Sequence, residues 1–229
     1  MLRHQNHTHS IVGNAALTAP ANHAVSVLLS FIEKRISGFS NYYFGSQISE
    51  RENFISMHLA NYFNSWLSDD SEGYIPYKFS FIKNPSQEMS TKESDIGVVI
   101  LNPSRPSQTI FEFEAKRLSD TSNNSEYVYG ERGGIERFKR NFHAGHLGSS
   151  GMFGYIQAKT AAHWVEKING WITKCAAENE DVKINWKSSD EKLSAIQLVE
   201  NTGRCTSNNL RINGHPISLI HYFIDLVPG

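Results

Sequence analysis

Residues 109–116 read TIFEFEAK, an alternation of apolar and charged residues in which two carboxylates and an amine recur at every second position. Successive side chains of a strand point to opposite faces. Phe111, Phe113 and Ala115 therefore fall on one face, and Glu112, Glu114 and Lys116 on the other. Same-face neighbours stand about 7 Å apart. The aromatic face has an obvious place in a core. The charged face either meets solvent as a charge-paired surface or lines a site. Asp95 opens the preceding apolar run, DIGVVIL, which ends at the turn-rich NPSRPS. Pairing the two runs as a hairpin returns Asp95 to the Glu114–Lys116 end. Two carboxylates there can share a hard cation through oxygen ligands, as Mg²⁺ requires. Lys116 beside it can orient or help deprotonate an attacking water and offset charge on a scissile phosphate. Counting from the loop sets Asp95 opposite Ala115, on the wrong face, so this arrangement requires a one-residue bulge or slip. A glycosidase-like use of Glu112 and Glu114 ranks low, because such pairs usually come from separate elements.

The elements that must position these groups follow from periodicity. Apolar spacing predicts a helix over 22–37 and a second over about 50–67, with the aromatic, Gly- and Ser-containing stretch 38–47 as a loop between them. Glu52 lies on the side of the second helix that carries Ile55, Leu59 and Trp66, which makes it a candidate ligand. Ser49-x-x-Glu52 equally fits a capping box. Strands are predicted over 74–82, 95–101 and 109–116 as an antiparallel meander. A polar, mobile stretch at 119–125 follows, then a short helix from Gly133-Gly134 to His143, a strand over 152–157 and a helix carrying Trp164, Val165, Ile168, Trp171 and Ile172. Further strands are expected at 182–186, 195–199 and 217–226, the last with a helix as alternative. This order predicts an α/β fold with a central mixed β-sheet flanked by helices. Residues 1–21, with His4, His7 and His9, read as a flexible tail, and 22–229 as a single domain.

A helix bearing an acid, then Asp on one strand and Glu-x-Lys on the next, resembles the PD-(D/E)xK nuclease superfamily over roughly residues 50–159. The resemblance implies a restriction-endonuclease-like core. It also implies that Asp95, Glu114 and the Ala115 carbonyl hold Mg²⁺ (or Mn²⁺), with Glu52 as the helical acid and Lys116 serving the water. Ser94 stands where the nominal motif has Pro. Gln157 and Lys159 follow the fourth predicted strand, where some members place a Gln or Lys near the metal or the substrate phosphate.

With 22 Lys and Arg against 23 Asp and Glu, any nucleic-acid surface must come from local clustering. The segment 129–140 supplies one. Ile135, Phe138 and Phe142 form an inward face and leave Arg137, Lys139 and Arg140 outward, while Gly133 and Gly134 can let backbone N–H groups approach a phosphate. Arg117 and Arg132 are nearby in sequence, and Lys159 is a further candidate contact. A solvated basic helix with glycine as punctuation is the alternative. His143 and His146 read as surface or loop residues, Trp164 and Trp171 as core, and His221 as a satisfied core histidine. Cys175 and Cys205 are the only cysteines, which suits a reducing cytoplasm and excludes a Cys-rich zinc site. No apolar run reaches bilayer length, so no membrane partner is expected. The expectation is a cytoplasmic Mg²⁺-dependent deoxyribonuclease serving restriction, phage defence or repair, endonuclease rather than exonuclease, for which a homodimer would suit double-strand cutting. The alternative is an inactive nuclease-like domain that binds nucleic acid or a protein partner.

Overall fold

Strand β3, Gln108–Leu118, is the axis of the molecule because it is apolar-lined on one face and meets a partner on each edge. The computed structural model describes residues 19–69, 75–84, 94–102, 107–130, 132–178, 181–187 and 190–228. Helices α1 (Ala19–Arg35), α2 (Phe39–Gly45) and α3 (Glu52–Ser68) come first, followed by strands β1 (Phe79–Lys83) and β2 (Ile96–Ile100) and then β3. After β3 come a 3₁₀ turn (Asn124–Tyr127), α4 (Gly134–Lys139), β4 (Ser149–Ile156), α5 (Ala161–Glu178), β5 (Gln197–Val199), β6 (Thr202–Leu210) and β7 (Pro216–Asp225). The seven strands form one sheet in the order β1-β2-β3-β4-β7-β6-β5. β4 lies parallel to both β3 and β7, and the remaining neighbours are antiparallel, so the sheet is mixed.

Strand parity divides the core in two. Phe111, Phe113, Ala115, Phe153 and Tyr155 pack with α1, α2 and α3 residues such as Leu28, Phe39 and Phe63. Leu118, Met152, Ile156 and Phe223 pack on the other face with Phe138 of α4 and Trp164, Ile168 and Ile172 of α5. Glu112, Glu114 and Lys116 share that second face and are all buried, so this is not a solvated charge-paired surface. Gly151 permits the tight seam between β3 and β4, since a Cβ there would meet the Phe113 ring at 2.2 Å.

The β2–β3 ladder contains the irregularity that the site needs. Ile100 and Val99 face Gln108 and Thr109, but Val98, Gly97 and Ile96 face Phe111, Glu112 and Phe113, so Ile110 is the extra residue of a β-bulge. Without it, Asp95 would fall opposite Phe113. With it, extending the ladder one residue past β2 sets Asp95 opposite Glu114.

The structure corrects several expectations. The stretch 38–47 is mostly helical, because Phe39 and Tyr43, one turn apart, bury their rings. α1 starts at Ala19, ahead of the expected boundary; the tail reading for 1–18 lies outside the described residues. Residues 119–125 are tied by hydrogen bonds among Ser119, Ser122 and Asn124 rather than left loose. Residues 182–186 form a turn, with Ile184 and Trp186 buried. Residues 217–226 run as strand. β6 was not anticipated, because TGRCTSNNL buries Thr202, Cys205, Ser207 and Asn209 instead of large apolar groups.

Candidate active site at the end of strand β3

β3 outlasts β2. β2 begins at Ile96, opposite Phe113, whereas β3 continues to Leu118. Past that point the β2-side edge has no neighbouring strand among the described residues, and two carboxylates take the place of its acceptors. The Ala115 N–H donates to Asp95 Oδ2 at 2.7 Å, and the Arg117 N–H donates to Glu52 Oε2 at 3.0 Å. A strand residue turns its N–H and C=O to the same edge, so the Ala115 carbonyl shares this notch. Glu52 therefore does not close a capping box. The N-cap of α3 is Arg51, with no side-chain cap, and the Ser49 hydroxyl only accepts from Arg51 N–H at 3.4 Å.

Glu114 is the buried floor of the site. Its Oε1 accepts from Lys116 Nζ and from Arg137 Nη1, each at 2.8 Å, and His143 Nε2 lies 3.2 Å from Oε2. Lys116 Nζ also reaches Glu52 Oε1 at 3.7 Å. Asp95 and Glu52 are part-exposed at the rim, while Glu114 is fully buried, so the cluster opens to solvent on one side only.

The electrostatics separate the carboxylates. Burial raises Asp95, and the Glu114 charge beside it raises it further; Lys116 opposes this, Glu52 adds to it, and the result is a pKa of about 8. Burial would raise Glu114 too. The hydrogen bond from His143 and the charges of Lys116 and Arg137 outweigh it and hold the carboxyl at about 2. Burial also raises Glu52, against the pull of Lys116. Lys116 is raised despite its burial, because Glu114, Glu52 and Asp95 surround it. The cluster thus favours charge on Glu114 and Lys116 and disfavours it on Asp95.

A metal of the kind the sequence implies would meet carboxylate oxygens of Asp95 and Glu114, with the Ala115 carbonyl edge and Glu52 beside them. That is the all-oxygen set a hard divalent cation takes. The mutual repulsion that lifts Asp95 is relieved by a cation, so this donor chemistry fits. Among the described residues no group of three or more His, Cys, Asp and Glu side chains is already drawn together as a metal cage.

Other predicted residues are distributed less simply. Gln157 joins the notch from β4, accepting from Arg117 Nε at 2.8 Å and donating to the Glu50 carbonyl at 3.0 Å. Lys159 is exposed, 3.6 Å from Asp120. Arg132 is exposed, and Arg140 is held by Glu136 and Asp181. Arg137 points partly inward, to Glu114. Lys139 is not an outward cation: it is fully buried, paired with Glu191 and placed 4.8 Å from the Trp186 ring centroid. Gly133 and Gly134 do not form a phosphate cradle. They are buried, and a Cβ would meet the Tyr129 backbone at 2.4 Å or Met152 Cε at 2.4 Å, so close packing explains both.

His143 lies in a loop, as expected, but not at the surface. It is fully buried against Glu114, and nothing in a Gly-flanked loop histidine signals that contact before the chain is folded. His146 is exposed, as expected. His221 is a satisfied core histidine, between Tyr127 OH at 3.0 Å and Ser207 Oγ at 2.9 Å, and burial lowers it to about 3.

Two concavities flank the cluster. A cleft of about 880 Å³ includes Tyr129, Arg132, Arg137 and Trp186. A groove of about 400 Å³ includes Tyr43, Glu50, Arg117 and Gln157. No family model, curated protein or solved structure matches the chain. Among the described residues no helix is long and apolar enough to cross a membrane.

Proposed function

We propose that the protein is a metal-dependent nuclease of the PD-(D/E)xK type, with a restriction-endonuclease-like core, hydrolysing phosphodiester bonds in DNA in the cytoplasm. The observation that carries this reading is the bulge at Ile110, which brings Asp95 into line with Glu114 and Lys116 on a strand end that also receives Glu52. Bound Mg²⁺ or Mn²⁺ supplies a water of lowered pKa and charge stabilisation at the phosphoryl group. Asp95 and Glu114 offer carboxylate oxygens at the notch. Lys116, kept protonated by the acids around it, is placed to neutralise charge on the scissile phosphate. Arg137 and His143 fix the Glu114 carboxylate so that it enters the reaction in one geometry.

The test is cleavage of plasmid and linear DNA by purified protein with Mg²⁺ or Mn²⁺. Lys116→Ala should abolish cutting while leaving the circular dichroism spectrum unchanged. If neither metal supports cutting of any DNA form, the hydrolytic reading fails.

One observation favours a second reading. Glu114 is already charge-satisfied by Lys116, Arg137 and His143, as in a purely structural network. An inactive domain that binds nucleic acid would show binding insensitive to EDTA and no cleavage.

A further inference from the structure

The cleft of about 880 Å³ lies between α4, the C-terminal half of α5 and segment 181–187, and three kinds of side chain meet in it. Arg132 and Arg137 bring guanidinium groups, Arg140 being already held by Glu136 and Asp181. Tyr129, Phe142 and Trp186 bring aromatic surface, and Glu178, 3.7 Å from Lys174, adds a carboxylate. A plain polyanion uses only the first. A nucleotide uses all three, because phosphate pairs with guanidinium, a base stacks on an aromatic ring, and an exocyclic amino group donates to a carboxylate. The volume falls in the range of about 300–1,000 Å³ typical of pockets that enclose a small molecule. A duplex does not enter such a space.

The position of the cleft is as telling as its lining. Arg137 lines it and simultaneously donates to Glu114 Oε1 at 2.8 Å, so a phosphate held at Arg137 stands next to the candidate site. Among the described residues Arg132 is exposed and forms no ion pair, which leaves a cation at the mouth.

We propose that this cleft receives a single-stranded segment of the nucleic-acid substrate, one or two nucleotides long, and delivers the adjoining phosphate to Glu114 and Lys116. The proposal rests on the nuclease reading for its substrate but concerns binding, which is measured without turnover. The experiment is fluorescence anisotropy of a labelled oligodeoxyadenylate hexamer in EDTA, with the unlabelled deoxyadenylate dinucleotide d(AA) and deoxyadenosine monophosphate as competitors. Arg132→Gln and Tyr129→Ala should each weaken binding roughly tenfold, the size expected for one ion pair or one stacked base. Lys167→Gln, on α5 but in a different recess, should leave binding unchanged.

The dinucleotide d(AA) should compete far better than the monophosphate. Equal competition by the monophosphate would make this a free-nucleotide site and overturn the proposal. If the protein cuts DNA but Arg132→Gln and Tyr129→Ala bind and cut like the wild type, the cleft is not the substrate path and the nuclease reading survives. If binding depends on both residues but no metal supports cutting, the subsite stands and the hydrolytic reading falls. Absence of hexamer binding in the wild type overturns the proposal outright.

Discussion

The charges around Glu114 and those around Glu191 are both buried, yet the two clusters have different compositions. Glu191 faces one cation, Lys139, and its remaining capacity is taken by the Leu210 and Lys187 N–H groups at 2.9 and 2.8 Å. Lys139 in turn donates to the Leu210 carbonyl at 3.0 Å and lies over the Trp186 ring. Acid, base and backbone match one to one, and water has no entry. At the end of β3 Glu114 is shared by Lys116, Arg137 and His143. Asp95 and Glu52, both part-exposed, have Lys116 between them, and burial beside the Glu114 charge raises Asp95 to about 8. A matched cluster fixes a loop to a helix. An unmatched, open one has unspent affinity for a cation. The comparison shows how burial alone fails to distinguish a structural ion pair from a site.

Breaking the closed pair should have the largest effect on stability. Lys139→Ala strands the Glu191 carboxylate and should cost about 3–5 kcal/mol, read by urea unfolding. The double change Lys139→Met with Glu191→Leu should recover most of that loss. A small single-mutant cost would erase the contrast between the clusters.

Next in size is the effect of Lys116→Ala on chemistry. Cleavage with Mn²⁺ should fall by at least about 100-fold. The fold should persist, since Arg137 and His143 still hold Glu114.

A smaller effect should come from Asp95→Asn. Asp95 is raised from 3.8 to about 8, so between those values the folded protein keeps a proton that the unfolded chain has lost. Stability therefore falls as pH rises from 4 towards 8. Asn removes that slope, so in metal-free buffer the variant should melt higher than wild type at pH 8, by roughly 2–4 °C per kcal/mol relieved, and the gap should shrink at pH 4. Glu114 acts in the opposite sense. Lowered from 4.5 to about 2, it contributes stability present above its ordinary value and lost as pH falls through 2.

The smallest expected change is Arg140→Ala. Its guanidinium is part-exposed and Asp181 is reached by water, while buried Glu136 keeps the Gly130 N–H, so urea unfolding should register about 1 kcal/mol.

How much of this was readable beforehand depended on whether a contact is local. Parity placed Glu114 and Lys116 on one face, and helical spacing placed Glu52 toward the interior, because both follow from backbone periodicity within a few residues. The register of Asp95 did not, since a bulge inserted at Ile110 depends on packing along the whole ladder. Lys139 was read outward from a six-residue pattern. It turns inward because Glu191, 52 positions away, waits there. β6 escaped for a related reason: its buried side chains are small, and contacts such as the Ser207–His221 hydrogen bond form only once β7 lies beside it.

The notch beside β3 has one more consequence. A strand that outruns its neighbour leaves N–H groups against which another chain can lay itself, and this is how sheets grow into aggregates. Here Asp95 and Glu52 cover the Ala115 and Arg117 donors. The same carboxylates that would draw in a cation also keep foreign strands off the edge, so their loss exposes the protein to self-association.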